Sequence, residues 1–529
     1  MPAAEVGKQA TRRRTFAVIS HPDAGKSTLT EALALHAKVI SEAGAVHGKS
    51  GRRGVTSDWM TMERERGISV TSAVLQFSYR GRVLNLLDTP GHADFSEDTY
   101  RVLAAVDCAV MLLDAAKGLE SQTLKLFDVC RHRRLPVVTF INKWDHPGRD
   151  ALGLLDEIER RLGIQPTPVT WPVGLAGDMQ GLIDRRRPAN MMNFTRAPGG
   201  AQPAERHDLS IDDNSIEEFS GLRAAIEELE LLDGIGAFHD PARFLTGKST
   251  PVFFGSAISN IGVNLLLDAL VDLAPAPAPR SAHDGTLRDI EAPFSGLVFK
   301  VQANMNRAHR DRIAFVRVCS GVFERGMILT RAATGRSFTT KYAHAIFGKD
   351  RVTVERAYPG DIVGIVNAGS LVSGDTLYHE EPVEFPPMPI FAPEHFAVIR
   401  SKDLTRSKQF HRGMEQLEAE GVIQVMLSDQ RGRQAPVLAA VGPMQFDVVL
   451  HRLQHEYGAP ASLEQLDYRI VRRTDKAGRD LLRSSRETEV LTRNRDGELL
   501  AIFPNEWRLD RITRDLPDLT LEPLVAATV

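Results

Sequence analysis

The sequence predicts a mixed chain in three parts: a large α/β domain on a mainly parallel sheet, a small β-barrel and an α+β domain of ferredoxin-like order. Three observations carry this. From residue 14 to about 275, apolar strand-like runs alternate with helical patterns. After Ala274-Pro275-Ala276-Pro277-Ala278-Pro279, read as an extended linker, short β segments separated by glycine turns take over. Beyond Pro386-Pro387-Met388-Pro389 the order reads strand, helix, strand, strand, helix, strand. The expected bounds are 1–280, with an insertion at about 166–245, then 290–385 and 390–529.

In the first part the runs are Thr15–Ile19, Val83–Leu87, Cys108–Leu113, Val137–Ile141 and Pro251–Phe254. Each ends at a polar motif or an acidic residue, the place where open α/β sheets bind ligands. In the insertion the alternation loosens, and a helical stretch is expected from Ser215 to Leu232. The barrel segments are Phe294–Val301, Arg312–Val318, Met327–Thr330, Ile362–Asn367 and Thr376–Tyr378. The last part reads as strand Phe396–Ile399, helix Arg406–Glu420, strands Val422–Met426 and Pro436–Val441, helix Pro443–Tyr457 and strand Ser462–Val471. A charge-rich tail follows from about Asp475.

Composition bounds the function. At 529 residues the chain holds roughly three or four domains. No apolar run approaches the roughly 18 residues that span a bilayer, so no membrane partner is expected. The N-terminus has a basic triplet with no apolar stretch behind it, so no secretory signal is read. Three cysteines without CxxC spacing fit a reducing cytosol and argue against disulfides or a zinc site. A formal net charge of −3 gives no case for bulk attraction to nucleic acid. The clusters Arg12–Arg14, Arg131–Arg134 and Arg185–Arg187 read as solvated surface.

Three ordered boxes carry the chemistry. The first, Ser20-His21-Pro22-Asp23-Ala24-Gly25-Lys26-Ser27, with Thr28 after it, lies between a strand and a helix start. Backbone amides and the helix dipole favour phosphate there, Gly25 permits close approach, Lys26 reaches the β/γ-phosphates, and the Ser27 hydroxyl is placed for magnesium. The strict pattern has glycine at position 20, so with Ser20 the loop must close without a positive φ at that residue. The second box is Asp88-Thr89-Pro90-Gly91-His92. Asp88 can hold magnesium through a water, the Gly91 amide can contact the γ-phosphate, and His92 can orient the attacking water. The third, Asn142-Lys143-Trp144-Asp145, decides the base. Asp145 can accept from guanine N1 and N2, Asn142 can reach N7 or O6, and the Lys143 stem can cover the ring. GTP/GDP is therefore expected rather than ATP. The Gly255-Ser256-Ala257 turn can add a backbone contact to the guanine O6, and Ser69 in Arg66-Gly67-Ile68-Ser69 can complete the magnesium shell in the GTP state.

With these boxes in place, the chain resembles the ribosome-associated translational GTPases, of the elongation factor G/Tu type. The shared features are Asp58-Trp59-Met60, Arg66–Ser69, the second and third boxes, and Arg317-Val318-Cys319-Ser320-Gly321. Within that superfamily it is most similar to the release factor 3 family. Ser20 in the first box, Asp94–Tyr100, Phe299–Met305, His309–Arg312 and Val441–Val449 carry that likeness. The resemblance thins over 185–250 and after about 475.

It implies an α/β P-loop GTPase domain, a translation-factor β-barrel and an α+β ferredoxin-like C-terminal domain. It also implies a cytoplasmic monomer that hydrolyses GTP on the ribosome, through rRNA and ribosomal proteins. The implied task is to speed departure of codon-reading (class I) release factors after peptide release. Lys26 and Ser27 are carried over to phosphate and magnesium, Ser69 to the switch hydroxyl, His92 to the water, and Asn142 and Asp145 to the base. Ser69 stands where many relatives have threonine, and Ala93 where an acidic residue is common. Elongation factor G carries further domains, so translocation is not expected; another ribosome-associated GTPase of stress, assembly or elongation type is the competing reading.

Overall fold

The computed structural model describes residues 3–38, 73–195, 204–303, 312–347, 350–366, 371–388, 391–432, 435–483, 485 and 487–524. A seven-stranded sheet organises the first domain, in the spatial order Ala73–Tyr79, Arg82–Asp88, Arg13–Ser20, Cys108–Asp114, Val137–Asn142, Ser249–Phe254, Gln165–Pro168. Only the first pairing is antiparallel. Every position of Arg13–Ser20 and of Cys108–Asp114 is buried, as expected of central parallel strands covered on both faces. All five expected runs are strands of this sheet, each extended by one to three residues. Cys108, Cys130 and Cys319 are buried. Burial raises all three thiols, that of Cys130 to about 12, which leaves them poorly nucleophilic.

The insertion is more ordered than its composition suggests. After Gln165–Pro168 joins the main sheet, an antiparallel four-stranded meander follows: Thr170–Val173, Gly181–Asp184, Asn190–Thr195 and Glu205–Ser210. The expected helix over 215–232 is two helices, Asp213–Glu218 and Leu222–Gly234. Asp212 caps the first through a reciprocal bond with Ser215, and the break falls at Phe219-Ser220-Gly221.

The second domain holds an eight-stranded antiparallel sheet in which Ser295–Ala303 and Arg312–Ser320 are the long central pair. Its strands Ser337–Thr339, Ala343–Phe347 and Asp350–Thr353 lie outside the expected segments. It is fixed to the first domain by buried polar contacts. Arg13 Nε lies 2.8 Å from Asp361 Oδ2, and Thr15 Oγ1 donates to the Gly360 carbonyl at 2.7 Å. Arg317 donates to both carboxylate oxygens of Asp107, at 3.0 and 2.7 Å. Gly360 has φ +104°, and a side chain there would press on Arg13 and Pro277, so only glycine fits the approach.

The C-terminal domain corrects one expectation. The run 462–471 is two strands, Ala461–Leu466 and Ile470–Thr474, near opposite ends of one eight-stranded sheet. Ala461–Leu466, His395–Ser401, Val437–Ala440 and Gln424–Ser428 stand side by side in the ferredoxin-like order 4-1-3-2. The sheet then continues through Glu489–Arg493, Leu499–Phe503, Ile470–Thr474 and Glu522–Pro523. The charge-rich stretch after Asp475 is thus an integral half of the sheet, with Leu491, Leu500 and Ile502 in its core. Among the described residues no helix is long and apolar enough to cross a membrane.

Candidate functional site

The carboxyl ends of the central strands bring the three boxes together. Arg13–Ser20 delivers the loop His21–Gly25 to the helix Lys26–His36, whose first turn contains Ser27 and Thr28. Ser20 ends the strand and has no positive φ; the left-handed positions are Asp23 (φ 66°) and Gly25 (φ 94°). Serine at position 20 therefore costs no backbone strain. A side chain on Gly25 would strike Asn142 Nδ2, so that position needs glycine for both φ and space. His21 is buried, with Nε2 3.4 Å from Glu120 Oε2. Burial lowers its pKa, and Glu120 offsets this only in part. Pro22 lies beside Gly91, placing the first box against the second.

In the second box, Asp88 is the last residue of its strand and is 2% exposed. Its Oδ1 lies 2.5 Å from Lys26 Nζ, while its Oδ2 is buried with no partner among the described residues. Thr89 Oγ1 donates to the Val18 carbonyl at 2.6 Å, tying the box to the central strand. The Pro90 carbonyl accepts from Thr99 Oγ1 at 3.2 Å. His92 is one-third exposed at the rim, with Nδ1 3.1 Å from Asp94 Oδ1.

In the third box Asn142 makes two bonds within the chain. Its Nδ2 donates to the Ala24 carbonyl and its Oδ1 accepts the Ala257 N–H, both at 2.8 Å. Asn142 thus ties the phosphate loop to the Gly255-Ser256-Ala257 turn. The Ser256 N–H is bonded to the Ile261 carbonyl, so a base contact from Ala257 would share an N–H already given to Asn142. Lys143 (φ 63°) extends to Asp114 Oδ2 at 2.9 Å. Burial pushes the Asp114 carboxyl up, but the Lys143 hydrogen bond and the Ala116 and Lys117 amides outweigh it and hold the group below its ordinary value. The Asp145 side chain is buried and its Oδ1 has no partner among the described residues. Trp144 locks the loop from behind, donating its backbone N–H to the Gly255 carbonyl at 3.1 Å and packing edge-on against Phe254.

Among the described residues two carboxylate oxygens thus remain buried and unpaired at the carboxyl edge of one sheet, Asp88 Oδ2 and Asp145 Oδ1. Such groups call for a partner. Asp88 fits a magnesium shell, together with the Ser27 hydroxyl on the helix's first turn. Asp145 fits a donor edge such as guanine N1–H and N2–H₂. Asp114 was not foreseen as part of the site; its signal was the acidic residue ending the run Cys108–Leu113. Asp94 stood out only through the family likeness. Ser69 lies outside the described residues.

Comparison with known proteins agrees with this geometry. The family model "Elongation factor Tu GTP binding domain" matches residues 11–276, "Elongation factor G domain 2" matches 293–380, and "Class II release factor RF3, C-terminal domain" matches 385–513. Peptide chain release factor 3 of Gloeobacter violaceus is 47% identical over 528 residues, covering 98% of this chain and 97% of that one. That of Symbiobacterium thermophilum is 47% identical over 514 residues, covering 97% of each. A crystal structure from Thermus thermophilus shares the fold, with TM-score 0.69 and 23% identity over 88% of this chain and 70% of that one. A guanine-nucleotide site on the first domain, followed by the barrel and a C-terminal domain of release-factor type, leads to one conclusion: the chain belongs to the peptide chain release factor 3 family of translational GTPases.

Proposed function

We propose that this protein is a cytoplasmic, monomeric GTPase activated by the ribosome, and that it promotes dissociation and recycling of class I release factors after peptide release. The observation that carries the reading is the pairing of a nucleotide cleft with the release-factor C-terminal match over 385–513.

In this reading Lys26 exchanges its buried contact with Asp88 for the β/γ-phosphates, while the loop amides cradle them. Ser27, Asp88 through a water and Ser69 would hold magnesium, which neutralises charge on the phosphates when bound. Asp145 reads guanine N1 and N2, Asn142 fixes the distance between phosphate loop and base turn, and the Lys143 stem covers the ring. His92 orients the water that attacks the γ-phosphate. In this reading intrinsic hydrolysis is slow, and charge stabilisation supplied in trans by the ribosome contributes about 10³ to 10⁵ in rate.

The test is hydrolysis with and without ribosomes, run beside dissociation of a labelled class I factor from terminated ribosomes. Stimulated hydrolysis with shortened residence of the factor is expected. Stimulated hydrolysis with unchanged residence would assign the protein to another translational task.

A further inference from the structure

We propose that Asp94 is a positioning residue for His92, and that the C-terminal domain holds it in place, so that docking of that domain sets the protonation geometry of the water-orienting histidine. The proposal rests on the reading of His92 given above.

His92 Nδ1 faces two groups of the same residue: Asp94 Oδ1 at 3.1 Å and the Asp94 backbone N–H at 3.3 Å. The two contacts exclude one another. If Nδ1 accepts the backbone N–H, the neutral ring carries its proton on Nε2 and presents a donor to the cleft. If Nδ1 donates to the carboxylate, Nε2 is left as an acceptor, the form that can take a hydrogen bond from an attacking water. The backbone N–H makes the hydrogen bond to Nδ1 in this structure, and the carboxylate, nearer at 3.1 Å, holds the charge-assisted alternative within reach while Asp94 keeps its place.

What keeps it there lies 350 residues away. Asp94 Oδ2 accepts the backbone N–H of Met444 at 2.7 Å, at the first residue of the helix Met444–His455. Asp94 is 8% exposed, and any side chain at Gly442 would overlap its carboxyl group. Phe95 packs beside it against Val448, Val422 and Met444, all of the C-terminal domain. One carboxylate thus bridges the histidine and another domain's helix. Undocking that helix releases the carboxylate and leaves Nδ1 to the backbone N–H alone.

Three full-length variants and one pair test this in single-turnover hydrolysis on ribosomes. Asp94→Asn keeps the shape and can still accept from Met444, but its amide would donate to Nδ1 and select the opposite tautomer. The expected result is a fall in kcat of roughly 10²-fold or more, with ribosome KM and GDP affinity unchanged. Gly442→Ala, remote from the nucleotide, should lower kcat in the same way by about tenfold, and its thermal midpoint separates this from misfolding. The pair His92→Ala/Asp94→Asn should be no slower than His92→Ala alone, since the two residues act as a unit. If His92→Ala is inactive while Asp94→Asn stays within twofold of the parent kcat, the proposal is overturned. A drop in GDP affinity matching the drop in kcat would overturn it as well. If His92→Ala itself hydrolyses normally, the fault lies in the underlying reading of His92.

Discussion

Lys26 Nζ and Asp88 Oδ1 are 2.5 Å apart in a pocket where both side chains are less than a tenth exposed. The pair joins the phosphate loop to the second box and keeps each buried charge compensated. Lys26→Ala removes the phosphate ligand and leaves Asp88 as an uncompensated buried carboxylate. Charged hydrogen bonds contribute about 1.5–3 kcal/mol, so GTP affinity should fall roughly 10- to 150-fold. The thermal midpoint without nucleotide should fall too. Titration with a fluorescent GDP analogue and melting of the nucleotide-free protein check both; an unchanged midpoint would mean that Asp88 is solvated.

Asn142 gives a second prediction, separable from base recognition. Asn142→Ala orphans the Ala24 carbonyl and the Ala257 N–H, each worth about 1–3 kcal/mol when buried without a partner. The variant should melt lower with and without nucleotide, and should bind GTP and XTP equally worse. A loss confined to guanine nucleotides would instead make Asn142 a base-reading residue alone.

The contrast shows what the chain discloses in one dimension and what it does not. The five apolar runs are legible because burial on both faces demands uninterrupted hydrophobicity. The stretch after Asp475 is not, because its strands Glu489–Arg493 and Leu499–Phe503 are only five residues each and lie between charge-rich segments of the sequence, although Leu491, Leu500 and Ile502 enter the core. The run 462–471 reads as one strand because nothing before Asp467-Tyr468-Arg469 marks the chain's passage from one sheet edge to the other. Asn142 and Asp145 look equivalent within a motif, yet one bonds the chain's own backbone through both amide atoms and the other keeps a buried oxygen with no partner among the described residues. Contacts such as that of Arg13 with Asp361 span 348 positions and leave no local trace.

That last contact carries a stability prediction. Asp361 holds Arg13 Nε at 2.8 Å and the Tyr358 N–H at 2.9 Å, with both charged side chains nearly buried. Asp361→Ala leaves Arg13 without its carboxylate, with only Gln9 and the Tyr358 ring beside it, at the joint between the first domain and the barrel. A buried pair broken on one side costs about 3–5 kcal/mol. Calorimetry should show a lower midpoint, with the barrel and first domain melting less cooperatively; an unchanged profile would mean that the apolar contacts of Phe299, Phe315 and Ile362 suffice.

Acid should weaken the fold in a window set by three histidines. Burial lowers the pKa of His21, His36 and His239 below the ordinary 6.5. From about pH 6.5 down to the folded values, the unfolded chain binds more protons than the folded one. Stability therefore rises with pH through that window and is lost as the pH falls through it. The slope of thermal midpoint against pH between about 5 and 7 should flatten in His36→Gln/His239→Gln, which spares the phosphate loop; an unaltered slope would place the acid sensitivity elsewhere.

The unpaired oxygen of Asp145 makes the most direct statement about the ligand. A buried carboxylate is tolerated only when its partner brings donors, and guanine offers two on the edge that adenine lacks. Rejection of adenine then follows from Asp145 being left unpaired, the strong form of discrimination, rather than from steric exclusion. Asp145→Asn turns the acceptor into a mixed donor and acceptor, and xanthine, with a carbonyl where guanine has its amino group, matches it. GTP affinity should fall by about 10²-fold or more, and XTP affinity should rise past it. Ribosome-stimulated hydrolysis should return at saturating XTP, because Lys26, Asp88 and His92 are untouched. Unchanged GTP affinity would remove Asp145 from the base site. Lost GTP affinity without any XTP rescue would make Asp145 a support for the loop, leaving the choice of base to other contacts.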